Sequence, residues 1–330
     1  MSVLAAPGDV FPPSAARAVD LTEDERSAVG SAADELTRSS SGLLDDPDWL
    51  GHARHLSCRL PYRLLAALRH FRHDAGPHGT LRIGNLPIDA ARLRDTPSAR
   101  DSVERDATGP AAVAMLLGQA LGEVMAFRDE KAGALVQNVV PVRTLAASQS
   151  NAGSVPLELH TENAFHPHRP DYVGLLCLRG DRDGRAATLL SCVRRALPHL
   201  DAAAIAVLSS PRFVTQAPPS FRAGAATAPH PVLGGGSDPE LRVDFHATAA
   251  LDGEARSALD LLGAALLKAG TSPVLRPGEM MFLDNRLVVH GRSTFTPRYD
   301  GRDRWLHRIY VHLDSRRGIG HRIGPGPVLA

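Results

Sequence analysis

From about residue 123 onward, the apolar segments of this 330-residue chain are short, and each is bounded by Gly, Pro, Asn or Asp. Many short strands joined by turns favour a sandwich or a barrel over a parallel sheet. One convincing helix, 254–269, interrupts the series. The sequence therefore predicts a mainly β core, with strands at 134–142, 157–160, 172–178, 187–191, 212–215, 241–245, 280–284, 288–290 and 305–313.

The first third of the chain has a helical pattern. Thr22 and Glu25 have the spacing of a capping box, which opens a helix predicted to end near Thr37. Further elements are predicted from apolar spacing: helices at 48–57, 61–73 and 110–121, and a short strand at 80–83.

These elements predict the domain organisation. We expect residues 1–20 to be a loose lead-in and residues 21–330 to form one domain. Its parts are a helical portion at 21–122, a β core at about 123–316 and a Pro- and Gly-rich stretch, 217–239, that is long enough for a mobile lid.

Composition excludes several classes of partner. The net charge of +1 gives no reason to expect binding to a nucleic acid or an anionic membrane. The three cysteines have no CxxC spacing, which argues against a disulfide framework and against structural zinc. The sequence shows no signal peptide and no apolar run approaching the ~20 residues of a membrane span. We expect a cytoplasmic protein, either a monomer or a homodimer.

Three residues could hold a metal ion. His160 and Glu162 are two residues apart at the end of a predicted strand, so both can point to one face. His290 follows another predicted strand, 128 residues after Glu162. Two His and one carboxylate on one face of a metal leave the other face open, as in non-haem Fe(II) oxygenases. From spacing alone, ordinary surface or hydrogen-bonded histidines remain an open alternative.

Two arginines could complete such a site. Arg304 lies fourteen residues after His290, and its planar guanidinium fits the distal carboxylate of 2-oxoglutarate. Arg308 is four residues further along the same predicted strand, so it shares a face with Arg304 and could hold the carboxylate of an amino-acid substrate. The alternative is that both are solvated arginines at a sheet edge.

Three segments together resemble the clavaminate synthase-like oxygenases, a group that includes hydroxylases of arginine, asparagine and lysine. The segments are HTENAFH at 160–166, FLDNRLVVHGR at 282–292 and RYDGRDRWLHR at 298–308. The similarity extends over roughly residues 80–316. It implies a double-stranded β-helix (jelly-roll) core with flanking helices, an α+β fold, and an enzyme that uses Fe(II), 2-oxoglutarate and O₂.

The resemblance also implies roles for individual residues. His160, Glu162 and His290 would bind Fe(II), and Arg304 and Thr188 would bind 2-oxoglutarate. Arg308 would bind the α-carboxylate of the substrate, and Gln137 and Ser150 would help to hold its amino end. Purely structural roles remain an alternative for Thr188, Gln137 and Ser150, which could be ordinary strand or loop residues.

Asp244 and His246 match the segment that recognises the substrate side chain. Arginine hydroxylases of the group have two acids there, spaced i and i+2, which would pair with a guanidinium. This chain has His246 at the second position, and a histidine is a poorer partner for a cation. Arginine, lysine, asparagine, glutamine and citrulline all remain candidates. Asp244 could also be a simple charge at a strand edge.

The expected reaction is hydroxylation of a free L-amino acid for natural-product biosynthesis, with succinate and CO₂ as co-products. Iron halogenases of the wider superfamily lack the carboxylate ligand, and Glu162 fills that position here. C3 is the first candidate for attack and C4 the second; desaturation or ring closure stays open. The alternatives are a carrier-tethered or peptide-bound substrate, or a non-catalytic metal-binding jelly-roll protein.

Overall fold

The computed structural model describes residues 17–39, 42–221, 226–236 and 238–330. They form a mixed α+β fold. The helices are α1 Glu23–Thr37, α2 Pro47–Ser57, α3 Tyr62–His73, α4 Gly109–Leu121, α5 Val193–Ala196, α6 Ala202–Leu208 and α7 Gly253–Ala269. The strands are β1 Arg17–Asp20, β2 Thr80–Gly84, β3 Val103–Glu104, β4 Glu123–Phe127, β5 Val136–Val139, β6 Leu157–His160, β7 Tyr172–Arg179, β8 Thr188–Cys192, β9 Phe213–Thr215, β10 Leu233–Gly234, β11 Glu240–Leu241, β12 Thr248–Ala250, β13 Met280–Asp284, β14 Val288–Arg292, β15 Trp305–His312 and β16 Val328–Leu329.

Nine strands form a large sheet in the order β1-β2-β13-β7-β15-β4-β16, with β5 also paired to β15 and β3 to β5. Helix α4 packs on this sheet and contacts α1 and α2 on its other side. Gly118 permits the close approach, since a Cβ there would lie 2.6 Å from both Ile309 Cδ1 and Val124 Cγ2. The helical first third therefore covers one face of the large sheet.

A smaller sheet of three strands, β6-β14-β8, carries two of the histidines of interest. A cavity of about 650 Å³ is lined by residues of both sheets and so lies between them. Side chains alternate along β15: Ile309 faces α4, whereas Leu306 and Arg308 face the cavity. The period of two in the sequence thus separates the apolar core from the polar cavity wall.

Most sequence-predicted elements are confirmed. The capping box of Thr22 and Glu25 is formed and α1 ends at Thr37. The predicted strands 157–160 and 280–284 have the observed bounds. The predicted helix 254–269 is α7, which begins one residue earlier.

Two local expectations were wrong, and one strand was missed. Residues 17–20 are not a loose lead-in, because β1 pairs in parallel with β2; residues 1–16 lie outside the described residues. Strand β4 was not predicted. The predicted strand 241–245 is confined to Glu240–Leu241, and it is followed by a bridge at Asp244 and a turn at 245–247.

The stretch 217–239 is described only in part, since 222–225 and 237 lie outside the described residues. Ala217, Phe221, Val232 and Leu233 are buried, and residues 217–221 line the cavity. Mobility of this stretch as a lid stays a prediction. No helix in the described part of the chain is long and apolar enough to cross a membrane.

Acid should destabilise the fold through His166. Its ring lies 4.4 Å from that of Phe127 and also contacts Phe165 and Phe221. Burial, together with the charge of nearby His168, lowers the pKa of His166 from 6.5 to about 4. The unfolded chain therefore binds a proton that the folded chain does not, so we expect stability to fall as the pH drops from 6.5 towards 4.

Urea unfolding at a series of pH values measures this effect. The loss of stability across that window should be smaller in His166→Gln than in the unsubstituted protein. Substitution of the exposed His70 by Gln is the matched control and should leave the slope unchanged. Equal slopes in all three proteins would show that His166 does not carry the effect.

Candidate active site

Two imidazoles and one carboxylate meet in the cavity. The ligand atoms of His160, Glu162 and His290 all lie within 4.8 Å of one another. His160 and His290 are cross-strand neighbours on β6 and β14, with ring centroids 4.3 Å apart. Nε2 of His290 lies 3.4 Å from Oε2 of Glu162. All three side chains line the cavity, so a metal held by them would be open to the cavity on one face.

The backbone of Glu162 is held by a single buried side chain. Asn285 accepts a hydrogen bond from the Glu162 N–H at 2.7 Å and donates to its carbonyl at 3.0 Å. Asn285 also donates to the carbonyl of Pro170 at 2.9 Å and is fully buried. Because Asn285 begins the turn between β13 and β14, it links the carboxylate segment to the strand that bears His290.

The charge states suit metal binding. Burial would raise the pKa of Glu162, but the guanidinium of Arg308 and the two imidazoles lower it more, so its pKa lies well below the usual value. Burial and the neighbouring His160 lower the pKa of His290. A carboxylate with neutral imidazoles is the donor set that Fe(II) takes in facial triads. The residues therefore fit Fe(II).

Arg308 connects the metal triad to a second acid. Its Nη1 donates to both carboxylate oxygens of Glu162, each at 3.1 Å. Its Nη2 donates to Glu130, and its Nε donates to Gln137 Oε1 at 3.1 Å. Burial would lower the pKa of Arg308, but Glu162, Tyr310 and Glu130 raise it, so the guanidinium stays charged. This buried cation is thus fully paired, as a buried charge must be.

Glu130 immediately precedes two residues with strained backbone conformations. Its carboxylate accepts from the hydroxyl of Tyr310 at 2.9 Å in addition to Arg308. The next residues, Lys131 and Ala132, have φ of 47° and 53°. Such left-handed conformations cost on the order of 1 kcal/mol each outside glycine and persist only where the surroundings enforce them. Here Lys131 Nζ donates to the carbonyl of residue 138 at 2.5 Å, which ties the turn to strand β5.

Arg304 and Thr188 form a different, unpaired part of the cavity wall. Arg304 is 7% exposed, and its guanidinium has no salt bridge or hydrogen bond to another described residue. The hydroxyl of Thr188 is buried and also without a partner. Burial lowers the pKa of Arg304. An unpaired cation beside an unpaired hydroxyl fits an anionic ligand with several oxygens, which 2-oxoglutarate is.

Asp244 and His246 lie at the rim. Both line the cavity, and His246 is exposed. The Oδ1 atom of Asp244 accepts from the N–H groups of His246 at 2.9 Å and Ala247 at 3.1 Å. The two residues are therefore in a turn that the Asp244 side chain stabilises. The same-face spacing expected of a strand does not apply to them.

Gln137 and Ser150 are placed differently from each other. Gln137 is 2% exposed, and its amide oxygen accepts from Arg308, so it supports that guanidinium from behind the cavity wall. Ser150 lines the cavity. Its hydroxyl is engaged within its own loop, with the Ser148 hydroxyl at 2.9 Å and the N–H of Ala152 at 3.3 Å.

Sequence reasoning missed two residues of the site. Glu130 lies in a charged run, Arg128 to Lys131, that is typical of a surface turn. Its position directly between two buried strands was the available signal. Asn285 lies within the segment 282–292, and nothing local to its sequence indicates that it reaches Glu162.

Comparisons with known proteins agree with this geometry. Residues 55–310 match the family described as Taurine catabolism dioxygenase TauD, TfdA family. An L-asparagine oxygenase of Streptomyces coelicolor is 45% identical over 94% of this chain and 94% of that protein. Clavaminate synthase 2 of Streptomyces clavuligerus is 34% identical over 93% of this chain and 96% of that protein. A solved structure of asparagine oxygenase with Fe(II), 2S,3S-3-hydroxyasparagine and succinate has a TM-score of 0.92 at 45% identity, covering 94% of this chain and 98% of that one.

Fold and site together define a non-haem iron, 2-oxoglutarate-dependent oxygenase that acts on an amino acid. The chain belongs to the TauD/TfdA dioxygenase family and, within it, to the clavaminate synthase-like group. The resemblance found in the three sequence segments is confirmed, and it extends further towards the N-terminus than residue 80. The alternative of a non-catalytic metal-binding protein is set aside.

Proposed function

We propose that this protein hydroxylates C3 of a free L-amino acid and that L-asparagine is its substrate. The observation that carries the proposal is the buried pair of Arg308 and Glu130 beside the metal triad. The 45% identity to an L-asparagine oxygenase, and the hydroxyasparagine in the structure of a similar protein, support asparagine and C3 over the other candidates.

The cosubstrate would bind at the Arg304 end of the cavity. Bound Fe(II) and 2-oxoglutarate, with O₂, supply an oxidative decarboxylation to succinate and CO₂ that provides the oxidising power for C–H hydroxylation. His160, Glu162 and His290 would hold the metal. The guanidinium of Arg304 would seat the distal carboxylate in its planar fork, and Thr188 would donate to the same group.

The main-chain groups of the substrate would bind between Arg308 and Glu130. In the structure Arg308 Nη1 donates to both oxygens of Glu162. A substrate α-carboxylate would take up that donor, and Glu130 would accept from the α-ammonium group. Two opposite charges held on either side of Cα fix the orientation of the amino acid, and they direct its β-carbon to the metal triad.

The substrate side chain would end at Asp244. The Oδ1 atom of Asp244 is used by two backbone N–H groups, whereas Oδ2 has no hydrogen bond to a described residue. One free carboxylate oxygen can accept one N–H of a side-chain amide. A guanidinium would leave most of its five donors unpaired here, since the neighbouring His246 is not an acid.

A substrate panel tests the proposal. Protein loaded anaerobically with Fe(II) would be mixed with 2-oxoglutarate, O₂ and one amino acid at a time: asparagine, glutamine, lysine, arginine or citrulline. We expect asparagine to give the highest kcat/KM, a product heavier by one oxygen atom and one succinate per product. NMR of the product should place the hydroxyl on C3. A higher kcat/KM for lysine or arginine would reject asparagine as the substrate.

Replacement of Arg308 distinguishes a free substrate from a tethered one. A free amino acid presents an α-carboxylate to Arg308, so Arg308→Met should raise its KM by about 100-fold. A carrier-bound or peptide-bound residue has no such carboxylate, and its KM should change little. Affinities for Fe(II) and 2-oxoglutarate, measured in the same variant, control for damage to Glu162. An unchanged KM for free asparagine would contradict the proposal.

We extend the proposal to the architecture. The two facing sheets would be the halves of a double-stranded β-helix, and residues 21–330, with β1 added at their N-terminal side, would form a single oxygenase domain. The pairing of β6 with β14 across 128 residues of chain between Glu162 and His290 supports such a closed core. A role in natural-product biosynthesis also remains a proposal.

A further inference from the structure

A loop between β5 and β6, residues 143–156, forms one wall of the cavity. Ser148, Gln149, Ser150, Asn151 and Ala152 at its tip all face the cavity. The tip is folded tightly, because a Cβ on residue 153 would lie 2.0 Å from the backbone oxygen of residue 148. This loop, here called the tip loop, lines the cavity in which the proposed substrate would lie.

The base of the tip loop is fastened by backbone groups. The N–H of Val142 donates to the carbonyl of Ala152 at 2.9 Å, and the N–H of Phe295 donates to that of Ser154 at 3.1 Å. These bonds hold the two ends of the loop. At the tip, the side chain of Gln149 donates to the carbonyl of Pro156 at 2.7 Å and accepts from the N–H of Glu158 on β6 at 3.2 Å.

Arg292 ties the tip to the neighbouring strand, β14. It lies on β14, two residues after His290, and its side chain is 4% exposed. Its Nη1 donates to the carbonyl of Ser150 at 3.3 Å, and its Nη2 donates to that of Val155 at 3.0 Å. The guanidinium thus connects the strand of a metal ligand directly to the tip loop.

The surroundings of Arg292 are unfavourable for a charge. Its Nε is buried without a partner, and its guanidinium has no salt bridge to an acidic side chain in the described part of the chain. The guanidinium is balanced only by carbonyl oxygens and by the ring of Phe295, whose centroid lies 5.4 Å from its central carbon. A buried cation without an acidic partner contributes little to stability, and an apolar side chain of similar size would fit the position at least as well. The geometry therefore assigns Arg292 a use other than stability.

We propose that Arg292 is a positioning residue that fixes the tip loop to the metal-bearing strand β14, so that the amino-acid substrate is held at a set distance from the metal. This inference rests on the proposed function for the identity of the substrate, but not for the contact itself. Loss of the two hydrogen bonds from Arg292 should let the tip move while the base of the loop stays in place. The substrate would then bind more weakly and sit less accurately, and 2-oxoglutarate would be consumed without hydroxylation.

Arg292→Met tests the positioning role in two independent ways. Hydrogen–deuterium exchange on the metal-loaded protein without substrate should speed up in residues 148–152 and remain unchanged at residue 154. In turnover, KM for the amino acid should rise about tenfold, KM for 2-oxoglutarate should stay within about twofold, and the ratio of succinate to hydroxylated product should increase. Arg292→Lys keeps the charge but cannot donate to both carbonyls in a fork, so it should recover these values only in part.

Arg298→Met removes an exposed arginine just after β14 and is the matched control. It should behave as the unsubstituted protein in every measurement. Unchanged exchange at 148–152 in Arg292→Met would overturn the proposal whatever the substrate is. A rise in KM for 2-oxoglutarate equal to that for the amino acid would also overturn it and would instead assign Arg292 to cosubstrate binding. If the substrate panel rejected asparagine, the exchange measurement would still test the role of Arg292, because it is made without substrate.

Discussion

Arg304→Met should bind 2-oxoglutarate about 100-fold more weakly than the unsubstituted protein and, without ligand, should be more stable. The weaker binding follows from loss of a planar, buried donor for the distal carboxylate. The gain in stability follows because Arg304 is 7% exposed and has no salt bridge to a described residue. In the free protein the cost of burying this charge therefore exceeds what the more distant carboxylate of Asp181 offsets. Calorimetric titration and thermal unfolding measure the two effects.

This prediction is specific because one substitution should lower the affinity for 2-oxoglutarate and raise the unfolding temperature. A substitution that merely damaged the fold would lower both the affinity and the unfolding temperature. Arg302→Met, two residues earlier and exposed, is the control and should change neither quantity. Added 2-oxoglutarate should raise the unfolding temperature of the unsubstituted protein and leave that of Arg304→Met almost unchanged. A less stable free Arg304→Met would contradict the view of Arg304 as an unpaired cation.

Asp244→Asn should change the preferred substrate from asparagine to aspartate. The free Oδ2 of Asp244 would accept an N–H of the asparagine amide, and it would repel the carboxylate of aspartate. An asparagine side chain at this position offers N–H donors instead. We expect kcat/KM for asparagine to fall about 100-fold and that for aspartate to rise from near zero.

Competition between the two amino acids in one reaction, read by mass spectrometry, measures the change directly. His246→Asn is the matched control, because His246 lies at the same rim but is exposed. It should keep the preference for asparagine. A loss of activity in Asp244→Asn towards both amino acids, with normal affinity for 2-oxoglutarate, would indicate that Asp244 shapes the turn and does not read the substrate.

Local sequence patterns predicted the elements that carry their own signal. Strand β6, strand β13 and helix α1 were found with their observed bounds because alternation, turn residues and a capping box all lie within the segment. Strand β1 was missed because its only support is a parallel partner 64 residues away, Leu81 for Arg17. Strand β4 was missed because a single residue, Gly122, separates it from the apolar helix α4.

The sequence predicted those residues of the site that have a regular spacing along one strand. The period of two put His160 and Glu162 on one side of a strand end. It put Arg304 and Arg308 on one strand face, whereas Arg304 precedes β15 and a register shift between Trp305 and Leu306 lies between the two arginines. Glu130 could not be placed in this way, because its approach to Arg308 depends on left-handed backbone at Lys131 and Ala132, where side chains normally forbid it. Asp244 was placed on a strand, whereas its own side chain folds the backbone into a turn.

The order of strands in the small sheet limits when the enzyme can become active during folding. Strands β6, β14 and β8 come from positions 157–160, 288–292 and 188–192, so the strand in the middle is synthesised last. No hairpin can nucleate this sheet, and contacts between such distant segments form slowly. A nascent chain that has emerged as far as residue 280 has His160 and Glu162, but it lacks the strand that carries His290. All three ligands can meet only after the chain has been made beyond residue 292 and β14 has docked between β6 and β8.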